Sequence, residues 1–161
     1  MRREEMPLSF WHPVSLLATW FGSGLLPKAP GTWGSLAALP FAAVIAHAGG
    51  PWALLVAAAA AFGVGVWASA RYAEHLGVSD PGAVVIDEVA GLWLALVPVA
   101  EDFAMYAVAF VLFRLFDIVK VWPANVLERR LKGGLGIMAD DVIAGLYAGA
   151  LTLLVVELIR P

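Results

Sequence analysis

Residues 29–70 read APGTWGSLAALPFAAVIAHAGGPWALLVAAAAAFGVGVWASA, a run without a single Lys, Arg, Asp or Glu. Gly49-Gly50-Pro51 interrupts it with a strong turn signal. A helix needs about 20 apolar residues to cross the hydrocarbon core of a bilayer. The run therefore predicts two crossings, Gly34 to Ala48 and Trp52 to Ala70. From Leu54 to Ala70 the apolar residues fall on every face rather than on one stripe, the pattern of a helix with no water beside it. Ala and Leu dominate and period-two alternation is absent, so these are helices and not strands.

Working outward, a third apolar segment runs from Val89 to Ala100 and a fourth from Phe103 to Phe113, parted only by Glu101-Asp102. A fifth runs from Val142 to Ile159 with the single charge Glu157. The expected fold is all-α: an integral membrane helical bundle of about five spans, forming one domain over residues 1–161. His12 to Phe21 is too short to span and is expected as an interfacial or re-entrant helix. The alternative is a compact soluble bundle with these segments as core helices. The third and fourth segments, about a dozen residues each, suit that alternative; the all-round apolar second segment opposes it.

Composition points the same way. The chain is 61% hydrophobic and 14% charged, against about 45–50% and about 25% in a soluble domain. Disorder is excluded, since it requires low hydrophobicity and high net charge. A net charge of −3 excludes a strongly basic nucleic-acid binder. Without cysteine there is no disulfide framework, zinc–thiolate site or cysteine nucleophile.

The basic residues predict an orientation. Arg2, Arg3 and Lys28 precede the first span, Arg71 follows the second, and Lys120, Arg129, Arg130 and Lys132 lie between the fourth and fifth. The turns at Gly49–Pro51 and Glu101–Asp102 carry no Lys or Arg. With five spans, every basic cluster except Arg160 falls on one face, which the positive-inside rule makes cytoplasmic. This requires a hairpin at Glu101–Asp102, which brings Asp87 and Lys120 to the same side. No small-residue cleavage pattern follows the basic N-terminus, so no removable signal peptide is expected.

Four motifs gather on that face. The first, Phe21 to Ser35, holds four glycines and two prolines ahead of a helix start. Such a loop lets backbone amides approach an anion, and a free helix N-terminus favours phosphate. The equally available reading is an ordinary turn with Thr32 or Ser35 as N-cap. The second, Asp87-Glu88-Val89-Ala90-Gly91, sets two acids at the opening of an apolar helix. Helix-dipole placement explains one acid; two repel unless a cation neutralises them. The third, Arg114-Leu-Phe-Asp117-Ile-Val-Lys120, is either a surface ion-pair ladder or a functional polar stripe at the end of a span. The fourth, Gly133-Gly-Leu-Gly-Ile-Met-Ala-Asp140-Asp141-Val-Ile-Ala-Gly145, repeats the second: paired acids, an apolar helix, and a glycine one turn on.

Hard oxygen donors suit Mg²⁺, which takes one or two carboxylates together with substrate phosphate. The features describe a membrane-embedded, Mg²⁺-dependent site for a phosphate-bearing lipid. The expected metal ligands are Asp87, Glu88, Asp140 and Asp141, with Asp117 the next participant among the catalytic acids. Lys120, Arg114, Gly31, Thr32, Ser35, Ser23 and Lys28 are the expected phosphate-binding residues. His12, His47 and His75 stand outside all four motifs. There is no Gly-x-Ser-x-Gly elbow and no Walker A loop.

In this combination and order, over about residues 20 to 146, the motifs resemble the bacterial phosphatidylglycerophosphatase A family. The matching pieces are Gly22-Ser-Gly-Leu25, Pro30-Gly-Thr-Trp-Gly-Ser-Leu-Ala-Ala38, Asp87 to Gly91, Arg114 to Lys120 and Gly133 to Gly145. One departure is that Lys120 is followed by Val121-Trp122-Pro123, where the family usually carries Lys-Pro-x-Pro. The resemblance implies Mg²⁺-dependent hydrolysis of phosphatidylglycerophosphate to phosphatidylglycerol and phosphate at the bacterial inner membrane. Two other readings are weighed against it. A lipid phosphotransferase would need the spaced Asp-Gly…Ala-Arg…Gly…Asp…Asp pattern, which is absent. A small ion-binding or transport protein would need polar groups near the middle of its spans, where there are almost none.

Overall fold

Pro13 opens the first helix, α1 (Pro13–Ala18), at a position where its missing N–H costs nothing, and His12 Nδ1 accepts the Val14 N–H at 3.2 Å. The computed structural model describes residues 8–160, so Arg2 and Arg3 lie outside the described residues, as do the side chains of Glu128 and Arg129. After a 3₁₀ turn at Ser23–Leu25, Lys28 and Ala29 both take left-handed backbone conformations, φ 61° and 48°, and turn the chain into α2 (Pro30–Leu76).

A straight helix as long as α2, 47 residues, would reach about 70 Å. It does not run straight. Gly49 and Gly50 leave helical geometry, Gly50 with φ 65°, and Pro51 starts a second half. Pro30 and Gly31 at one end line the same cavity as Ser79–Gly82 beyond the other. The halves therefore double back on each other, as the Gly-Gly-Pro signal predicted.

The chain continues as α3 (Ile86–Leu96), α4 (Tyr106–Val119), α5 (Ala124–Arg130) and α6 (Gly133–Ile159). No strand occurs among the described residues. Short 3₁₀ turns, Val97–Val99 and Phe103–Met105, flank Glu101-Asp102 and fold α3 against α4 as a hairpin. Asp87 and Lys120 thus come to one end of the bundle. The other end gathers the turns: Arg160 pairs with Asp102, and Gly50 lies beside Glu101.

Of the five segments expected to span, two lie on short helices. With 11 and 14 residues, α3 and α4 reach only about 17 and 21 Å, short of a hydrocarbon core about 30 Å thick. Pro98 and the 3₁₀ turns cut both segments short of their apolar extent. Two helices, α2 and α6, are long and apolar enough to cross a membrane.

On α2 and α6 mostly small residues face inward and many large apolar ones face outward. On α2 the buried positions are Gly31, Gly34, Ser35, Ala38, Ala42 and Ala46, then Leu54 and mostly alanines from Ala58 to Ala73. Trp52 is 74% exposed, Val44 68% and Leu158 72%. The backbones consequently approach closely, among other places where α3 meets α6. A Cβ on Gly145 would stand 2.3 Å from the Gly91 carbonyl oxygen, and one on Gly91 2.5 Å from that of Asp141. The indole of Trp93 ties α3 to α2 by donating to the Ala38 carbonyl at 3.0 Å.

This crossing yields a paired prediction. Gly145→Ala overpacks a backbone contact, a change that typically costs about 1–3 kcal/mol, and should lower the melting temperature in detergent by several degrees. Gly63→Ala has open space around its Cβ and gains helix propensity, so its melting temperature should match or exceed that of the unmodified protein. Equal melting of the two variants would contradict the close crossing.

Candidate active site

The α3–α6 crossing fixes the acids. Asp87 lies one helical turn before Gly91 and Asp141 one turn before Gly145, so the point of closest approach carries both acid pairs together. One oxygen each from Asp87, Glu88 and Asp141 lie within 4.8 Å of one another. They open into a cavity of about 610 Å³ where the starts of α2, α3 and α6, the end of α4 and the Ser79–Gly82 loop converge.

Each acid has a distinct setting. The Glu88 N–H donates to Asp87 Oδ1 at 3.0 Å. Arg114 Nη1 stands 2.7 Å from Asp117 Oδ2 and 3.7 Å from Glu88 Oε1, so one guanidinium serves two carboxylates from behind the cavity wall. Lys120 Nζ reaches Asp140 Oδ2 at 3.0 Å. Asp141 is only 2% exposed. Its Oδ2 and the Oε2 of Glu88 are buried without a hydrogen-bond partner among the described residues.

Burial raises the Asp87 carboxyl well above its ordinary value, and the charges of Glu88 and Asp141 push it the same way. Burial also raises Glu88, opposed by its hydrogen bond with Asp87 and by Arg114, while Asp117 adds to the rise. Among the described residues, six acids and two lysines line the cavity. Orphaned buried oxygens are costly unless something satisfies them, and an all-oxygen donor set is the chemistry of a hard divalent cation. The cluster fits such an ion.

The structure sorts the expected site residues. Asp87, Glu88, Asp117, Asp140, Asp141, Lys120 and Gly31 all line the cavity. Of the four acids expected around one metal, Asp87, Glu88 and Asp141 form the cluster, whereas Asp140 points to Lys120. Successive helical residues diverge by about 100°, so neighbours need not share a site. Arg114 is not a lining residue; it holds the acids from behind. Gly31 provides room, since a Cβ there would stand 2.1 Å from Glu88 Oε1.

Ser23, Lys28, Thr32 and Ser35 do not line the cavity. The Ser23 hydroxyl donates to the Thr19 and Trp20 carbonyls, Lys28 is exposed, and the Thr32 N–H is taken by Ala29. Ser35 is fully buried one turn inside α2. Only the first two residues of α2 reach the cavity, because the next turn packs on Val85. Sequence reasoning missed the Ser79–Gly82 loop and Lys132, which also line it. The turn signal in Ser-Asp-Pro-Gly was legible; Lys132 belongs to no motif and signals only orientation in the sequence.

A family profile described as Phosphatidylglycerophosphatase A matches residues 16–156, a span that holds every residue of this site. The chain belongs to the phosphatidylglycerophosphatase A family. It is 39% identical over 146 residues to the phosphatidylglycerophosphatase A of Escherichia coli, covering 89% of this chain and 84% of that protein. It is 38% identical over 142 residues to that of Haemophilus influenzae, covering 88% and 87%. No solved structure matches. The chain is accordingly an enzyme, a phosphatase of this family.

The electrostatics predict a pH dependence. A raised carboxyl value means that the folded protein keeps a proton the unfolded chain has already released, so stability is lost as the pH rises through the folded-state value. Protein stripped of divalent cations should melt at progressively lower temperature as the pH is raised above the ordinary carboxylate range. Asp87→Asn should flatten that slope. A cation-free melting temperature that rises with pH would contradict the arrangement.

Proposed function

We propose that this enzyme hydrolyses phosphatidylglycerophosphate to phosphatidylglycerol and inorganic phosphate, with Mg²⁺ held by Asp87, Glu88 and Asp141, on the cytoplasmic face of the bacterial inner membrane. The observation that carries this reading is the buried three-carboxylate cluster with unpartnered oxygens on Glu88 and Asp141. A phosphate monoester entering a cavity with six acids and two lysines would be repelled unless a divalent cation balanced it. When bound, the ion supplies charge neutralisation and Lewis acidity toward the phosphoryl oxygens.

The chain's own residues do the rest. Lys120, steadied by Asp140, and Lys132 at the start of α6 meet the phosphate from the cavity rim. Asp117, its Oδ2 fixed by Arg114, orients the attacking water. Water adds to phosphorus, the bond from phosphorus to the glycerol oxygen breaks, and the proton released from water passes through a cavity carboxylate to the departing alkoxide. Arg114 acts through Glu88 and Asp117 and is a positioning residue.

The membrane setting is supported by the large apolar residues facing outward and by α2 and α6 as helices of spanning length. Small inward-facing residues are the rule where lipid, not water, surrounds a bundle. Lys28, Arg71, Lys120 and Lys132 cluster toward the cavity end, and Arg160 lies at the other, which supports a cytoplasmic cavity. With α2 doubled back and α3–α4 a short hairpin packed between α2 and α6, the cavity opens at one membrane surface.

Phosphate release from phosphatidylglycerophosphate in mixed micelles, with and without Mg²⁺, tests the proposal. Release should stop on chelation and return with Mg²⁺. Asp141→Asn should cost about 10²–10³ in rate, the scale of one lost electrostatic contact at a transition state. Lys120→Ala should raise KM as well as lower kcat. Near-wild-type, Mg²⁺-dependent release from Asp141→Asn would overturn the site.

A further inference from the structure

Beside the catalytic cavity, α6 carries a second feature. A groove of about 310 Å³ is lined by Pro123, Ile143, Leu146, Tyr147 and Ala150. On α6, Asp140, Ile143, Tyr147 and Ala150 stand at i, i+3, i+7 and i+10, so they form one continuous helical face. Asp140 belongs to the catalytic cavity; the next three residues belong to the groove. The opposite wall is Pro123, in the turn that follows Lys120, the cation that pairs with Asp140. The groove thus lies beside the Lys120–Asp140 pair, one helical turn further along α6.

The groove is apolar by construction. The Tyr147 hydroxyl, its one polar side-chain tip, donates to the Trp122 carbonyl at 3.0 Å. The Tyr147 ring stacks on Phe116 at 5.6 Å, which fixes its orientation. From Ile143 to Ala150 the groove follows about 10 Å of α6, away from the cavity and along one of the two helices long and apolar enough to cross a membrane. An amphiphile whose phosphate sits beside Lys120 needs an apolar path in that direction.

We propose that this groove holds an acyl chain of the phospholipid substrate and so sets the enzyme's preference for lipid over water-soluble phosphate esters. The proposal rests on the phospholipid-phosphatase reading of the cavity. It commits to the substrate's own chain, and not to bulk lipid, because the groove starts one helical turn beyond Asp140, the partner of the lysine placed against the phosphate.

Two measurements test it. In the first, unmodified enzyme in mixed micelles is irradiated with phosphatidylglycerophosphate carrying a diazirine in one acyl chain, and the labelled peptides are identified by mass spectrometry. Label should concentrate on residues 143–150 and Pro123, and excess unlabelled substrate should suppress it. Label spread evenly over the outward faces, around Val44 and Val56 for example, would overturn the groove as a subsite. In the second, Ala150→Phe fills the groove at its far end. The ratio of KM for a long-chain substrate to KM for its dihexanoyl analogue should rise about tenfold, the equivalent of roughly two methylenes left unburied. An unchanged ratio would overturn the proposal; if the variant turns over neither substrate, the labelling of the unmodified enzyme decides. Unmodified enzyme that releases phosphate from neither lipid would sink the functional reading instead, a result separable from the labelling pattern.

Discussion

The site depends on two glycines. Gly91 on α3 and Gly145 on α6 let the helices touch backbone to backbone, and any side chain at either position would meet a carbonyl oxygen. Each glycine follows an acid by one helical turn, Asp87 in α3 and Asp141 in α6. Close approach at one level of the bundle therefore forces the carboxylates together at the level above. The electrostatic cost of that meeting is set by backbone packing and not by attraction among the acids. It is the kind of local conflict that folded chains retain at functional sites.

What balances the conflict is distributed over several helices. Arg114 on α4 approaches Glu88 and Asp117 with one nitrogen, and Gly31 at the start of α2 leaves the space that the Glu88 carboxylate fills. Lys120, at the end of α4, holds Asp140 apart from the cluster. Even so, acids outnumber lysines around the cavity, and two buried oxygens lack hydrogen-bond partners. A hard divalent cation is the simplest partner for that surplus.

Much of this was legible in the sequence because it is written in short-range patterns. The Gly49-Gly50-Pro51 break, the hairpin at Glu101-Asp102 and the acid–turn–glycine repeat each depend on neighbours in the chain. What was not legible depends on direction. Adjacent acids in a helix point about 100° apart, so Asp140 and Asp141 part company, one to Lys120 and the other to the cluster. Ser23, Lys28, Thr32 and Ser35 share a glycine-rich motif with Gly31, yet only Pro30 and Gly31 of that stretch reach the cavity. The helical extent of two apolar segments was likewise not legible, since Pro98 and the 3₁₀ turns take up parts of the segments from which α3 and α4 are cut.

The central claim is that Asp87, Glu88 and Asp141 together hold one divalent cation at the floor of the catalytic cavity. The most direct measurement is anomalous diffraction from crystals grown with Mn²⁺ in place of Mg²⁺. The account predicts a peak among these three carboxylates, lost in crystals of Asp141→Asn. A well-ordered cavity with no peak there, or a peak confined to the Glu101–Asp102 turn at the far end of the bundle, would contradict it.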